Sequence, residues 1–191
     1  MTKPTAINRA IVKIEKRFND EIKTESGITL YKDTSFKPEE NSTIEGVVVS
    51  APDSINGVSD GFCWDVKEGD KLYFHYGVTI DESNSFTENG ETFWNIEPYN
   101  AIARVRDGRL KPVGHYILVR PSEKKKPESS ILFIPDSAAK EDNTGTVVAS
   151  NDDEMPEGSV VVFEERGKFW NFIEGEKLYC MNNSNVMYVI N

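Results

Sequence analysis

Only two cysteines, Cys63 and Cys180, and two histidines, His75 and His115, occur among the 191 residues. Cysteines so few and so far apart define no disulfide framework and fit a reducing compartment. No C-x-x-C or H-E-x-x-H spacing joins these four soft ligands, so no metal is expected, and isolated core or surface residues are the ordinary reading. Asp152-Asp153-Glu154 lacks the spacing of a calcium loop and reads as a solvated turn. Basic charge is short too: 22 Lys and Arg stand against 32 Asp and Glu, a formal net charge of −10. That balance argues against nucleic acid or an anionic membrane as a partner. Long apolar runs are missing, the opening MTKPTAINRAIVKIEK has no signal-peptide core, and a cytoplasmic location is expected. G-x-S-x-G, G-x-x-x-x-G-K and G-x-G-x-x-G are all missing, so neither an enzyme nor a cofactor is indicated. A sustained helical period is the last absence. Glu15 to Lys23 comes nearest, without an apolar stripe.

What remains is strand signal. Ala10–Ile14, Val47–Val49, Leu72–Phe74, Tyr116–Val119, Val147-Val148 and Val160–Phe163 are short β-branched and aromatic runs. Gly, Pro, Asn and Asp bound them, which predicts an all-β sandwich or barrel. A different stretch, Pro127–Val148, sets the apolar run Ile131-Leu132-Phe133-Ile134-Pro135 between polar flanks. Such flanks predict a mobile loop. The apolar run is then either a short core strand or a segment held out for a partner's groove.

An internal repeat organises the chain. Asn8–Ile14 matches Gly114–Arg120, Ser26–Tyr31 matches Ser130–Pro135, and Glu45–Ser50 matches Thr144–Ser150. Lys67–Phe74 matches Pro156–Phe163, and Phe93–Val105 matches Leu178–Ile190. Five blocks in one order predict two tandem modules, 1–107 and 108–191, joined at the turn dipeptide Asp107-Gly108.

Several stretches repeat a known pattern: Gly27-Ile28-Thr29-Leu30, Gly46-Val47-Val48, Glu68-Gly69-Asp70 before Leu72-Tyr73-Phe74, and Tyr76-Gly77-Val78. The second copy adds Leu132-Phe133-Ile134-Pro135, Gly145–Ala149 and Asn185–Tyr188. Each copy thereby resembles a GroES-type co-chaperonin of the chaperonin-10 family. The resemblance implies two GroES-like, partly open β-barrels with long mobile loops at about 16–45 and 121–144. It implies a non-enzymatic partner that caps an ATP-bound GroEL-type chaperonin ring and assists ATP-dependent protein folding. The docking tripeptides would be Ile28-Thr29-Leu30 and Leu132-Phe133-Ile134. Self-association into a ring, alone or with a single-module co-chaperonin, would use Ile11, Val12, Ile102, Val105, Ile117, Leu118, Met187 and Val189. The tether between Ile102–Val105 and His115–Val119 would make one such contact covalent. An inward roof hairpin would occupy about 51–66, with Phe62 and Trp64, and Tyr76 would face the cage interior.

Two departures qualify the resemblance. Thr29 stands where the family has an apolar residue, so the first loop should dock less strongly than the second. A solvent-facing Thr29 that only extends the chain is the other reading. The second copy has only Asn151–Pro156 in place of a roof hairpin, which predicts roofed and roofless modules in alternation. A structural or adaptor protein, a viral component being one form, that keeps this fold without binding a chaperonin is the competing function.

Overall fold

The computed structural model describes residues 3–24, 26–31, 38–122 and 143–190. The chain divides into two units, Met1–Gly114 and His115–Asn191, each built on antiparallel strands. Among the described residues no helix is long and apolar enough to cross a membrane.

The first unit holds β1 (Ala10–Lys13), β2 (Glu21–Lys23), β3 (Thr29–Tyr31), β4 (Glu45–Ser50) and β5 (Lys71–Phe74). It continues with β6 (Ser85–Glu88), β7 (Glu91–Ile96), β8 (Ala101–Arg106) and β9 (Arg109–Pro112). Two helices of a single turn, α1 (Pro38–Asn41) and α2 (Gly77–Ile80), complete it. Its main sheet runs β6-β7-β1-β4-β5-β8-β9, and among the described residues β2 pairs only with β3. The second unit holds β10 (Tyr116–Pro121), β11 (Thr144–Ala149), β12 (Val160–Phe163), β13 (Phe169–Ile173), β14 (Glu176–Asn182) and β15 (Val186–Ile190). Its sheet runs β13-β14-β10-β11-β12-β15, the order of the first sheet without the final strand.

The likeness extends to single bonds. Val48 N–H donates to Asp70 O and Gly69 N–H to Val48 O at 2.8 and 2.9 Å; Val147 to Ser159 and Gly158 to Val147 repeat both distances. Gly46 lies against the backbone of β1, where an added Cβ would stand 2.9 Å from Lys13 O. Gly145 lies against β10 in the same way, 2.5 Å from Arg120 O. Only a residue without a side chain allows that approach.

Each unit has its own core. Ala10, Val12, Val48, Leu72, Phe74, Trp94 and Ile96 form the first, and Ile117, Val119, Val147, Val161, Phe163, Tyr179 and Met181 the second. These positions correct one repeat match. Aligning Asn8 with Gly114 sets Val12 against Leu118, yet Val12 pairs with Trp94 and its counterpart Val119 with Tyr179. Since strand side chains alternate, that one-residue slip exchanges the core face for the opposite one.

Other expectations change with the topology. Asp107-Gly108 is not the joint; it is the two-residue turn between β8 and β9, with φ of 50° and 72°. Positive φ at both positions suits a tight hairpin, and the first unit continues to Gly114. The strand beside β8 is therefore β9, whereas β10 lies between β14 and β11. No roof hairpin occupies 51–66: those residues form turns without a strand. Pro52, Gly57 and Gly61 interrupt any alternation there, and both glycines take positive φ. Glu15–Lys23, which has no apolar stripe, forms no helix: Phe18 bridges to Ser42 and Glu21 begins β2.

Candidate functional site

The β2–β3 hairpin carries the first candidate tripeptide, and it stands on a tied base. Asn19 N–H donates to Asn41 O at 2.7 Å and Thr43 N–H to Arg17 O at 3.0 Å, so the two chain segments at its foot are stitched together. Arg17 then fastens that foot to α2: its Nε and Nη2 donate to Thr79 O and Ile80 O, both at 2.7 Å. The Arg17 guanidinium also pairs with Glu82 and lies over the Phe18 ring, 4.8 Å from its centroid. Those helix carbonyls are acceptors an α2 of one turn leaves open, which is why a cation fits there. Buried Thr79 closes the base, its hydroxyl donating to Thr43 O at 2.9 Å. The Glu21 carboxylate accepts from Lys16 Nζ at 2.6 Å and raises the Lys16 pKa.

From this base the hairpin runs in register, Glu21 opposite Tyr31, Ile22 opposite Leu30 and Lys23 opposite Thr29. Gly27 at its tip has φ of 81°, a conformation the Cβ of other residues resists. Ile28 is 58% exposed and Leu30 51% exposed. Two residues apart in extended chain, they share one face, while Thr29 and Tyr31 take the other. Large apolar side chains side by side in water leave a surface that a groove in a partner can cover. The second tripeptide, Leu132-Phe133-Ile134, lies outside the described residues.

The remaining candidates separate. Tyr76 directly precedes α2, stacks on His75 at 4.2 Å between centroids and accepts a hydrogen bond at its carbonyl from Thr79 N–H at 3.2 Å. Burial lowers the His75 pKa. Trp64 packs on the first core and donates Nε1–H to Pro52 O at 3.0 Å. Phe62 meets Tyr99 edge-on at 5.2 Å and fills the space beside Gly114. Local packing accounts for both aromatics. Val12 and Ile117 belong to the cores of their own units, and Val189 packs on the second. Ile11, Ile102 and Leu118 are buried as well, so of these only the half-buried Val189 keeps exposed surface. Val105 is half-buried. Met187 differs: it is 61% exposed, and Tyr188 beside it 57%, on the terminal strand of the second sheet. Their counterparts on β8, Ile102 and Ala103, are buried, in a strand whose outer edge is covered by β9.

Residues 109–190 match the family model "Chaperonin 10 Kd subunit". The chain is 34% identical over 91 residues to the "Co-chaperonin GroES" of Corynebacterium diphtheriae, an alignment covering 42% of this chain and 93% of that protein. It is 32% identical over 92 residues to the "Co-chaperonin GroES" of Vesicomyosocius okutanii, covering 42% of this chain and 97% of that one. The chain belongs to the chaperonin-10 family. The chaperonin-10 match begins at Arg109, the first residue of β9, which pairs in the first unit's sheet. The relatives named are co-chaperonins rather than enzymes. Among the described residues no group of His, Cys, Asp and Glu could hold a metal, and burial pushes the Cys180 thiol up to about 12.

Sequence reasoning passed over Arg17. Nothing local marks it, since its acceptors lie some sixty residues on.

Proposed function

We propose that this chaperonin-10 protein is a cytoplasmic co-chaperonin that caps an ATP-bound GroEL-type chaperonin ring and assists ATP-dependent folding. The carrying observation is the exposed Ile28 and Leu30 pair, set on one face of a hairpin whose base is pinned to α2. Each such side chain contributes roughly 1.5–3 kcal/mol on full burial, and ordering the partners takes back much of it. One hairpin therefore binds weakly, and several presented together bind through effective concentration yet still release. Leu132, Phe133 and Ile134 supply a second apolar segment, in the part of the chain that the family match covers. The first unit acts as a second, diverged module, supported by its shared strand order and matching glycines.

Assembly follows from the same reading. Within the first unit β8 takes β9 as its outer neighbour, while β15 ends its sheet. Lys3–Ala6 precedes β1 as β9 precedes β10 and lies outside any strand. Pairing of that segment from one chain with β15 of the next gives a head-to-tail ring.

The test is ATP-dependent co-sedimentation with a GroEL-type chaperonin. Wild type should sediment with the chaperonin when ATP is present, and the combined variant Ile28→Ser, Leu30→Ser, Leu132→Ser, Phe133→Ser should stay in the supernatant. Equal behaviour of the two chains would refute docking through these residues and leave a structural or adaptor role.

A further inference from the structure

The strand β13 reads alike in both directions. Lys168-Phe169-Trp170-Asn171-Phe172-Ile173-Glu174 has an amide at its centre, apolar residues on either side and opposite charges at its ends. Laid antiparallel on a copy of itself about Asn171, it sets Trp170 opposite Phe172, Phe169 opposite Ile173 and Lys168 opposite Glu174. Among the described residues β13 ends the second sheet.

The peptide groups have the phase that such pairing needs. Ile173 pairs with Glu176 across the turn Glu174-Gly175, whose φ values are 51° and 80°. The pair flanking a two-residue turn exchanges hydrogen bonds, and bonded and non-bonded pairs alternate from there. Asn171 therefore bonds toward β14, while the peptide groups of Trp170 and Phe172 turn outward. In a ladder centred on Asn171 this residue forms the closer, non-bonded pair with its twin, about 4.5 Å between Cα atoms. Its Nδ2 is buried with no hydrogen-bond partner among the described residues, and the second amide comes within its reach.

Trp170 and Phe172 are 47% and 56% exposed and meet edge-on at 5.7 Å between centroids, with Lys177 Nζ 4.4 Å from the Trp170 centroid. The fold does not require them. Trp170 pairs with Tyr179 as Ser85 pairs with Trp94, so polar Ser85 and Thr87 hold these positions in the first unit.

We propose that β13 is a self-recognition edge, where two copies of this chain pair antiparallel about Asn171 with Trp170 of each against Phe172 of the other. The contact is isologous and separate from the head-to-tail contact at β15. A single edge of five residues binds weakly, so chains join through it only as concentration rises.

The test uses the full chain carrying Met187→Glu and Tyr188→Glu, so that β15 takes no part. Sedimentation equilibrium should show dimers growing in with concentration, and adding Trp170→Ser with Phe172→Thr should weaken association about tenfold or more. A second measurement reads the register. Two such chains, both with Cys63→Ser, carry either Trp170→Cys or Phe172→Cys and are mixed and oxidised. They should cross-link to each other rather than to themselves, because only the mixed pair sets the new thiols opposite one another and keeps one Trp170–Phe172 contact. Single chains at every concentration overturn the contact, as does association undiminished by loss of both aromatics. Self-cross-linking as efficient as the mixed reaction overturns the pairing about Asn171.

Discussion

Four charged side chains of the first unit show how far a pair of residues can differ between two similar units. Arg106 grips Asp70 with two hydrogen bonds of 2.7 Å, and Asp70 is 1% exposed. Arg104 and Arg106 together hold Asp65, by its side chain and by its carbonyl at 3.0 Å. The second unit has Ser159 where the first has Asp70, and so it lacks this network. Burial works to raise the Asp65 pKa, but hydrogen bonds from both arginines outweigh it, and the net shift is downward. A depressed carboxylate stabilises the fold fully above its unfolded value of about 3.9 and loses that contribution as pH falls through the lower folded value. Asp65 is partly exposed, so the contribution is about 1 kcal/mol or less. In a Trp170→Phe background, fluorescence of Trp64 and Trp94 follows the first unit alone. Its urea midpoint should decline on acidification from pH 5 to pH 3, and Asp65→Asn should flatten that decline; an equal slope in both chains would contradict the account. None of this was legible from Asp65 or Asp70 in isolation, because the arginines that hold them lie on β8, far along the chain.

At the scale of elements, β4 and β11 owe their place to a missing side chain. Gly46 and Gly145 let these strands approach β1 and β10 more closely than any Cβ permits. Gly145→Ala should therefore destabilise the second unit by about 1–3 kcal/mol through forced displacement of β10, seen as a lower urea midpoint; an unchanged midpoint would mean that the strands separate without cost. The runs read as strands in sequence fall in strands, apart from Ile14 just past the end of β1, since alternating β-branched residues in a half-buried sheet have few other solutions. Register was less legible. The slip that paired Val12 with Leu118 arose because Ile117, Leu118 and Val119 are all apolar, and composition cannot tell which faces inward. The expected roof hairpin failed for another reason. Phe62 and Trp64 look like strand residues, but Pro52, Gly57 and Gly61 break the stretch into turns, and the aromatics pack where those turns leave them.

For the whole molecule, β15 ends the second sheet among the described residues, and in the ring proposed above that edge is where chains meet. Met187→Glu with Tyr188→Glu should leave the circular dichroism spectrum intact, because exposed positions tolerate charge with little loss of stability. The same variant should convert the assembled species seen by native mass spectrometry into single chains. An oligomer that survives both substitutions would place the contact elsewhere. The sequence by itself determined the all-β class and the approximate position of most strands, because both rest on local alternation and turn chemistry. Only the tertiary structure decided that Asp107-Gly108 turns back within the first unit and that β9 lies beside β8. It alone showed that Arg17 ties the β2–β3 hairpin to α2, and that Val12 and Ile117 are core while Met187 is exposed. Those outcomes depend on which distant segments share a sheet edge or a carbonyl, and no window of neighbouring residues contains that information.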